Sequence, residues 1–488
     1  MRKYLKGEID LTQKDVDMFL MCTTCKKCDT VCQVNLPIMD LWDKIRPVLT
    51  VEKGFGTYPA FEMMGASLET DLNIWAGRKV ERDDWFPDDV EIQDRGELGY
   101  WAGCTAAYVE TEVAENAVRI MRDGGLKFTN LGKDEGCCGV PMLVAGKPET
   151  FEIVFRNNVE QLKKRGVKEL VISCPGCYMA WTHYYPMWAK KLGVTLDVKF
   201  THITELTERL VKDRALKFTK PINKRLTWHD SCHIGRHSGI YEPPREVLKA
   251  IPGVEYVDTE NNRDKGRCCG SVLTRIGKPD VSNQLACNKL QEAVDINADA
   301  VVATCPCCEV QLRVGGAKGG VHMPVVDFSA VVVEALGYES KDTTDHMFYM
   351  WGVFEKAIEI MTSEGIVAMM GDMMPEIMEA MPEAMKPMIK AMAAMPAPVQ
   401  GLPLSAMEKM IPLMMPSLFP GMMPKLMPTV LKMMKQAIPN MPPQMEEKLP
   451  GMLPKVMAKI MPGMMAEVAP ALAPKMTAYL AKKKQPIA

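Results

Sequence analysis

Residues 135–141 read Glu-Gly-Cys-Cys-Gly-Val-Pro, and residues 267–271 read Arg-Cys-Cys-Gly-Ser. Each stretch has one cysteine 33 to 36 residues before its cysteine pair, and another close pair of cysteines about 36 residues after it. The two sets of five are Cys104, Cys137, Cys138, Cys174 and Cys177, and Cys232, Cys268, Cys269, Cys305 and Cys308. The second set repeats the first at an offset of 128 to 131 residues. Five thiols at matched spacing in two copies indicate two metal-ligand sets.

The number of sulfur ligands in each set favours an iron–sulfur cluster over zinc. A tetrahedral zinc ion needs four thiolates, which is fewer than each set contains. Adjacent cysteines cannot easily direct both thiolates at one ion, but they can serve neighbouring irons of a larger cluster. The glycine after each pair suits a turn in which a side chain would crowd the site. The alternative is zinc, as one ion per repeat or in one repeat only.

Around these cysteines the chain alternates short apolar runs with amphipathic segments. Strands are predicted at 97–104, 126–132, 167–174, 225–232, 254–258 and 298–305, and helices at 107–124 and 149–165. Such alternation is typical of parallel α/β units, in which ligands collect at the carboxyl ends of the strands. Four of the predicted strands end on a cysteine of the two sets, so we expect each repeat to gather its thiols into one site.

A third group of cysteines lies near the N-terminus, at Cys22, Cys25, Cys28 and Cys32. Its spacing, C-x2-C-x2-C-x3-C, is that of bacterial iron–sulfur ferredoxins, although Gln33 replaces the usual proline. Because a tight loop can turn three thiolates onto one cube, the first three cysteines are the predicted ligands. The fourth either completes this cube or binds a cluster shared with another chain. Structural zinc is again the alternative.

The cysteine motifs resemble those of a known family. The stretches GCTAAYVE, EGCCGVP and SCPGCY, followed by HDSCHIGRHSGIYEPPREVLKAIPGVE, RCCGS and TCPCCEVQL, are similar to those of the CCG-domain proteins. Over roughly residues 15–335 the pattern resembles the D-type subunit of heterodisulfide reductase, which joins a ferredoxin-like segment to two CCG domains.

This resemblance implies an α/β fold with two tandem Rossmann-like CCG domains, at 96–220 and 221–343. A small α-helical ferredoxin-like segment (1–60) and a connector (61–95) precede them, and a Met/Pro-rich helical tail (344–488) follows. Each five-cysteine set is implied to hold a noncubane [4Fe–4S] cluster, and the N-terminal group a ferredoxin-type [4Fe–4S] cluster. The implied activity is reductive cleavage of the disulfide between coenzyme M and coenzyme B, or the reverse reaction, between the two noncubane clusters.

Electrons are expected to arrive through another redox subunit. No G-x-G-x-x-G stretch follows a predicted strand, so the sequence shows no flavin or nicotinamide site. The expected partners are a flavoprotein, a ferredoxin-like protein, a cytochrome b or a hydrogenase, beside a small thiol or disulfide substrate.

The sequence departs from the family pattern in four places. It has one ferredoxin motif, where the D-type subunit usually has two. The second repeat reads CCGSVLTRIG, where the family tends to have a glycine-rich run, so a larger wall is expected near that cluster. Cys307 adds a thiol inside TCPCC, and the tail lies outside the resemblance. The changed run and the tail favour a rival function, an electron-transfer subunit of a respiratory or membrane-associated complex without its own disulfide substrate.

Basic residues surround Cys232. His233, Arg236 and His237 are candidates to hold an anionic substrate or to donate a proton to a leaving thiolate. The alternative, favoured for His229, is a hydrogen bond to cluster sulfur or a cap on the following helix. Cys287 stands alone in a predicted helix and is expected to be a small buried residue.

The tail at 344–488 differs in composition from the rest of the chain. It contains 30 of the 41 methionines and neither cysteine nor arginine. Proline recurs every few residues and is expected to divide it into short helices, each with one methionine-rich face. We expect an adaptable apolar surface that contacts a partner subunit or a membrane surface, with an irregular methionine core as the alternative.

The charge and hydropathy of the chain limit its expected partners and its expected location in the cell. The formal net charge of −2 gives no general attraction to nucleic acid. The N-terminal residues are charged and lack the apolar core of a signal peptide, and no run of 18 apolar residues is present. A cytoplasmic location is expected, where thiols stay reduced, with peripheral attachment to the membrane as part of a complex.

Overall fold

The computed structural model describes residues 2–383, residue 387 and residues 421–482. The chain divides into two compact units. The cysteine unit contains Met18–Lys53 and Ser67–Trp351, and with them all 16 cysteines. The methionine unit contains Met1–Asp17, Gly54–Ala66 and Gly352–Ala488, as far as these ranges are described. The remaining parts of the predicted tail lie outside the described residues.

Each cysteine repeat folds around a four-stranded parallel sheet. In the first repeat the strands are β1 (Leu98–Trp101), β2 (Thr129–Asn130), β3 (Glu169–Ile172) and β4 (Lys199–His202), in the spatial order β2-β1-β3-β4. In the second they are β5 (Lys224–Trp228), β6 (Val254–Tyr256), β7 (Ala300–Ala303) and β8 (Val325–Asp327), in the order β6-β5-β7-β8. The prediction of parallel α/β units is therefore confirmed.

The sequence pattern does not predict β4 and β8. Both are short strands at the edge of their sheets, and β4 begins with the exposed Lys199 and the half-buried Phe200. Each has two buried residues, which are too few to show the apolar run that marks a central strand. Pairing with β3 and β7 fixes these two strands instead.

Helices cover the two sheets and connect their strands. Those of the first repeat are Cys104–Tyr108, Thr111–Asp123, Val140–Val144, Pro148–Arg165, Pro175–Met179, Tyr185–Leu192 and Ile203–Lys212. Those of the second are Glu242–Ala250, Ser271–Arg275, Pro279–Asp295, Pro306–Gly319 and Phe328–Leu336. Before the first sheet, the helices are Arg2–Leu5, Gln13–Leu20, Lys27–Val31, Ile38–Pro47 and Pro59–Asp71.

The two repeats pack against each other in a nearly symmetric way. Helix Thr111–Asp123 of the first repeat packs on Phe328–Leu336 of the second, and Ile203–Lys212 of the first packs on Glu242–Ala250 of the second. Each pair joins the helix after a repeat's first strand to the helix after the other repeat's last strand. One apolar core spans both repeats, including Val118, Leu206, Val247 and Val332. This shared core holds the two sheets in a fixed relation.

In the methionine unit, the apolar faces pack on one another. Its C-terminal part contains the second half of Thr344–Ile360, from Gly352 on, and the helices Ser363–Asp372, Met374–Ala380, residues 421–437 and Pro443–Lys482. Their buried methionines include Met370, Met374, Met423, Met457 and Met465. Among the described residues, this arrangement is the irregular methionine core that the sequence leaves open as an alternative. Contact with a partner or a membrane surface stays a prediction.

Proline bends the last helix instead of dividing it into short helices. Pro443–Lys482 is helical over 40 residues although five prolines lie inside it. Its parts Pro443–Met465 and Glu467–Met476 meet at an angle of 84°. In the described part of the chain, no single helix is long and apolar enough to cross a membrane. The two parts on either side of the bend have the required length and hydropathy only when they are taken together.

Candidate metal centres

All ten cysteines of the two repeated sets line a single cavity in the cysteine unit. The first cysteine of each set follows β1 or β5, and the last pair follows β3 or β7. Cys104 and Cys174 come from the first sheet, and Cys232 and Cys305 from the second. The expectation that strand ends gather the thiols therefore agrees with the geometry, but both sets share one site.

A buried ion pair fixes the turn that carries Cys104. The Glu135 carboxylate accepts hydrogen bonds from the backbone N–H groups of Ala102 and Gly103, at 3.0 and 2.8 Å. The Arg82 guanidinium donates to the same carboxylate at 2.5 Å, and both side chains are buried. Glu135 directly precedes the first Gly-Cys-Cys-Gly stretch, so its contacts join the turn after β1 to the turn that carries the cysteine pair.

Glycine is required after each cysteine pair. Gly139 and Gly270 have φ angles of 84° and 89°, in the left-handed region that side chains with a Cβ rarely adopt. A Cβ at Gly139 would lie 2.5 Å from the Phe151 ring, and a Cβ at Gly270 would lie 3.0 Å from the backbone oxygen of Ser282. The prediction of a turn too crowded for a side chain is confirmed at both positions.

Asn158 holds the cysteine-pair turn of the first repeat. Its Oδ1 accepts the N–H of Gly136 at 2.9 Å, and its Nδ2 donates to the carbonyl oxygen of Cys137 at 2.8 Å. The same Nδ2 donates to the Tyr185 hydroxyl at 2.8 Å. In the second repeat, the Ser282 hydroxyl donates to the Gly270 carbonyl at 2.8 Å. Each turn is thus fixed by a side chain of the long helix that follows it.

The thiols of the two sets form one continuous series of contacts. In the first set the contacts run Cys104–Cys137–Cys138–Cys177–Cys174. In the second they run Cys232–Cys268–Cys269–Cys308–Cys305, with 3.2 Å between the sulfurs of Cys269 and Cys308. Cys174 and Cys305 hydrogen-bond to each other. The two sets therefore face each other across one site.

The donor set fits iron–sulfur clusters. Hydrogen bonds from Cys137 and Cys177 lower the pKa of Cys138 to about 6. Hydrogen bonds from Cys177 and Cys305 lower the pKa of Cys174 well below its usual value, whereas donation to these thiolates, together with burial, raises the pKa values of Cys177 and Cys305. The thiolate is the form of cysteine that binds a soft metal, and cysteine thiolates are the usual ligands of iron–sulfur clusters. All 16 cysteines are free thiols, so none of these ligands is consumed by a disulfide.

The N-terminal cysteine loop, residues 22–32, lies against the second repeat. Thr24 and Lys26 adopt left-handed backbone angles, with φ of 58° and 59°, and so turn the chain sharply between cysteines. The Cys25 thiol hydrogen-bonds to Cys268, which together with burial raises the pKa of Cys25. Cys22 and Cys28 are close enough to interact electrostatically, and the Cys32 sulfur accepts the N–H of Leu36 at 3.4 Å.

Two of the three predicted substrate residues hold this loop. Arg236 donates from Nε to the carbonyl oxygen of Cys25 at 2.6 Å, and from Nη1 to that of Gly266 at 2.6 Å. The His237 ring is 2.7 Å from the carbonyl oxygen of Thr24. His233 lies 3.3 Å from the Thr24 hydroxyl and also lines the cavity. Arg236 and His237 thus bind the loop's backbone, while His233 faces the cavity, and a substrate role for the three stays a prediction.

A family model described as a cysteine-rich domain, CCG, matches residues 98–181 and 226–313. The chain is 34% identical over 345 residues to the D-type subunit of the dihydromethanophenazine:CoB–CoM heterodisulfide reductase of Methanosarcina mazei, covering 69% of this chain and 83% of that relative. The chain belongs to the family of heterodisulfide reductase D-type subunits. The resemblance seen in the sequence is therefore confirmed.

Other relatives of this chain are redox proteins too. It is 28% identical over 308 residues to a probable iron–sulfur-binding oxidoreductase of Bacillus subtilis, covering 60% of this chain and 43% of that protein. It is 27% identical over 336 residues to an EtfAB:quinone oxidoreductase of Syntrophomonas wolfei, covering 64% of this chain and 46% of that protein. Together with the thiol sets, these similarities make this chain an iron–sulfur redox subunit.

His229 lies beside the second cysteine set of this family member. One of its ring nitrogens and the sulfurs of Cys269 and Cys308 lie within 4.8 Å of one another. Both ring nitrogens are buried without a hydrogen-bond partner among the described residues. Burial lowers the pKa of His229 to about 3, so the ring is neutral and offers one N–H donor and one lone pair. This position agrees with the interpretation of His229 as a partner of cluster sulfur.

Sequence reasoning missed Arg275 as a site residue. Arg275 ends the short helix Ser271–Arg275 and lines the cavity, and its Nη2 donates to the Cys307 sulfur at 2.9 Å. The sequence feature that pointed to this region was the run after the second Cys-Cys-Gly, where bulkier side chains than in the family were expected beside the cluster. The sequence could not show that the arginine of this run faces the thiols. Cys307 also lines the cavity, whereas Cys287 donates to the Gly315 carbonyl at 3.3 Å on a neighbouring helix.

Proposed function

We propose that this chain reduces a disulfide, or oxidises the corresponding thiols, between its two repeated cysteine sets. The coenzyme M–coenzyme B disulfide is the first substrate to test, because the curated relative with 34% identity carries that activity in its name. The observation that supports the proposal is the meeting of all ten thiols in one cavity, with Cys174 and Cys305 in contact. A disulfide in that cavity would be flanked by both sets.

The ten cysteines are the proposed ligands of two noncubane [4Fe–4S] clusters, and Cys22, Cys25, Cys28 and Cys32 those of a ferredoxin-type cluster. Bound clusters would supply electrons one at a time. Cleavage of the S–S bond consumes two electrons and two protons and gives two thiols. The chain's own residues bury the reacting sulfurs away from water and hold the two sets at a fixed separation through the shared core of the repeats.

The N-terminal cysteine loop is the proposed site at which electrons reach the chain. Its half-buried cysteines are more accessible than most of the cavity thiols, and its Cys25 contacts Cys268 of the second set. We propose that another redox subunit binds near this loop, as a flavoprotein, a ferredoxin-like protein, a cytochrome b or a hydrogenase.

The test is anaerobic reduction of the coenzyme M–coenzyme B disulfide by the iron-loaded full chain, with reduced viologen as the donor. We expect turnover in the wild type, loss of turnover in Cys269→Ser, and retained turnover in Cys287→Ser, since Cys287 lies outside the sets. The absence of turnover in a wild-type protein that carries about twelve irons, four for each of three clusters, would contradict the proposal.

A second candidate is an electron-transfer subunit without a disulfide substrate of its own. The similarity to an EtfAB:quinone oxidoreductase favours it, as does the close contact between the N-terminal cysteine loop and the second set. An iron-loaded chain that is rapidly reduced and reoxidised by dyes, yet neither binds thiols nor cleaves any disulfide, would support this candidate instead.

A further inference from the structure

The two halves of the cavity differ in polarity. On the side of the first repeat, the described lining residues besides cysteine and glycine are Ile74, Ala102, Ala106, Val140 and Pro141, with Thr105 as the one polar side chain. On the side of the second repeat, the lining includes the polar Ser231, His233, Ser271 and Arg275 beside the apolar Val272 and Pro306. A molecule lying across both halves would therefore meet two different environments.

Arg275 carries the one permanent charge among the described residues that line the cavity. At the repeat offset of 131 residues its counterpart in the first repeat is Val144, and the counterpart of its partner Cys307 is Gly176. The cation and the thiol that it contacts thus belong to the second half alone. Because arginine does not deprotonate in proteins, this charge is present at every physiological pH.

Two other buried arginines near the site have carboxylate partners, and a third, Arg236, donates to backbone carbonyl oxygens. Arg82 pairs with Glu135 at 2.5 Å, and Arg245 pairs with Asp230 at 2.7 Å. Arg275 is 8% exposed and forms no ion pair with a carboxylate of the described residues. Its one hydrogen bond within them comes from Nη2, which leaves Nε and Nη1 for another acceptor. A buried guanidinium is costly unless it is paired and hydrogen-bonded, and among the described residues only the Cys307 thiol accepts from Arg275. The two remaining donor nitrogens therefore suit an anionic group of a ligand.

We propose that Arg275 sets the substrate class and its orientation: the second repeat's half of the cavity binds the anionic arm of an unsymmetrical thiol or disulfide, and the first repeat's half binds an apolar arm. The inference rests on the proposed disulfide chemistry. A carboxylate or a sulfonate on a short chain suits the bidentate donor fork of arginine. Burial of an alkyl arm against the apolar wall of the first half removes apolar surface from water, which favours binding.

The test compares two mixed disulfides of pentanethiol, one with 3-mercaptopropionate and one with 3-mercaptopropanamide. They differ in a carboxylate against a neutral amide of nearly the same size. With reduced viologen as donor, we expect the iron-loaded wild type to favour the carboxylate in kcat/KM by about 10- to 100-fold, the value of a hydrogen-bonded charge. Arg275→Met should abolish this preference, and Arg275→Lys should keep part of it.

Two controls separate recognition from folding and from redox tuning. Arg209→Met removes an equal charge from the surface of the first repeat, where Arg209 pairs with Glu169 at 3.3 Å, and should keep the preference. Iron content in Arg275→Met should match the wild type. If Arg275 only offset the negative charge of bound clusters, Arg275→Met would change both rates by the same factor and keep their ratio, which would overturn the proposal.

A second measurement does not depend on turnover. Binding of 3-mercaptopropionate and of 3-mercaptopropanamide to the oxidised iron-loaded chain is followed through the change in its electron paramagnetic resonance spectrum. Tighter binding of the carboxylate that Arg275→Met removes supports the inference even if no disulfide is cleaved, in which case the proposed reductase function fails by itself. Equal reduction or equal binding of the two probes by the wild type overturns the inference and leaves the reductase function standing.

Discussion

Truncation of Asn158 should prevent the first cysteine set from holding its proposed cluster, while the second set keeps its own. The side chain is fully buried and forms four hydrogen bonds, to Gly136, Cys137, Tyr185 and the neighbouring Asn157. In Asn158→Ala the N–H of Gly136 and the carbonyl of Cys137 lose these partners inside the protein. Each buried group left unpaired costs about 1–3 kcal/mol, so the turn that carries the cysteine pair should lose about 2–6 kcal/mol of local stability.

The assay is iron content together with the electron paramagnetic resonance spectrum of the anaerobically reconstituted chain. We expect Asn158→Ala to lose about four irons of the roughly twelve that three [4Fe–4S] clusters contain, together with the signal of one cluster. Arg156→Ala is the control on the same helix, because Arg156 is exposed and pairs with Glu152 at 2.6 Å, away from the cysteine turn. Water can replace that surface contact, so Arg156→Ala should keep its iron.

The equivalent change in the second repeat should give the reciprocal result. Ser282→Ala removes the hydrogen bond to Gly270 and should weaken the second set, so the lost signal should differ from that of Asn158→Ala. Full iron content and an unchanged spectrum in Asn158→Ala would refute the reasoning that this side chain holds the ligand turn in place.

Three further changes test other parts of the cysteine unit. Burial raises the pKa of Glu112 to about 7 from its ordinary 4.5. The folded chain therefore holds this proton more tightly than the unfolded chain, and it loses about 3 kcal/mol of stability as the pH rises from 4.5 to 7. Glu112→Gln should reduce the fall of the unfolding midpoint between pH 5 and pH 8, and an identical fall in the variant and the wild type would contradict this. Arg236→Met removes two hydrogen bonds of 2.6 Å, one of them to the N-terminal cysteine loop, and should speed amide hydrogen exchange there, whereas the surface variant Arg267→Met should leave it unchanged. His229→Leu should alter the spectrum of the cluster in the second set without loss of iron, while the exposed His322→Leu should not, and identical spectra for both would exclude contact between His229 and the cluster.

Features that depend on neighbouring residues could be read from the sequence. The Cys-Cys-Gly turns are local, because Gly139 and Gly270 must adopt left-handed backbone angles at a crowded position. Four of the six predicted strands lead directly into a cysteine of the two sets, and short apolar runs bounded by turn residues are consistent with buried strands. The edge strands β4 and β8 were not predicted, because their pairing with β3 and β7 makes them strands and their own residue pattern does not.

The role of individual side chains depended on distant parts of the chain. Arg236 was a candidate for binding substrate, yet its partner Cys25 lies 211 residues away in sequence. The spacing of residues along the sequence does not reveal such a pairing. The methionines of the tail were expected to form an exposed surface, but those described face one another, since apolar side chains are buried wherever a matching face is available.

The sequence by itself determined the two sulfur-ligand sets, the α/β architecture and the family, because spacing and periodicity are local properties that a repeat makes visible twice. Only the tertiary structure decided that both sets share one cavity, that Cys174 meets Cys305, and that Arg275, alone among the described lining residues, brings a fixed charge to it. The physical reason is that these contacts arise from the packing of helices of one repeat on helices of the other, which joins residues more than a hundred positions apart.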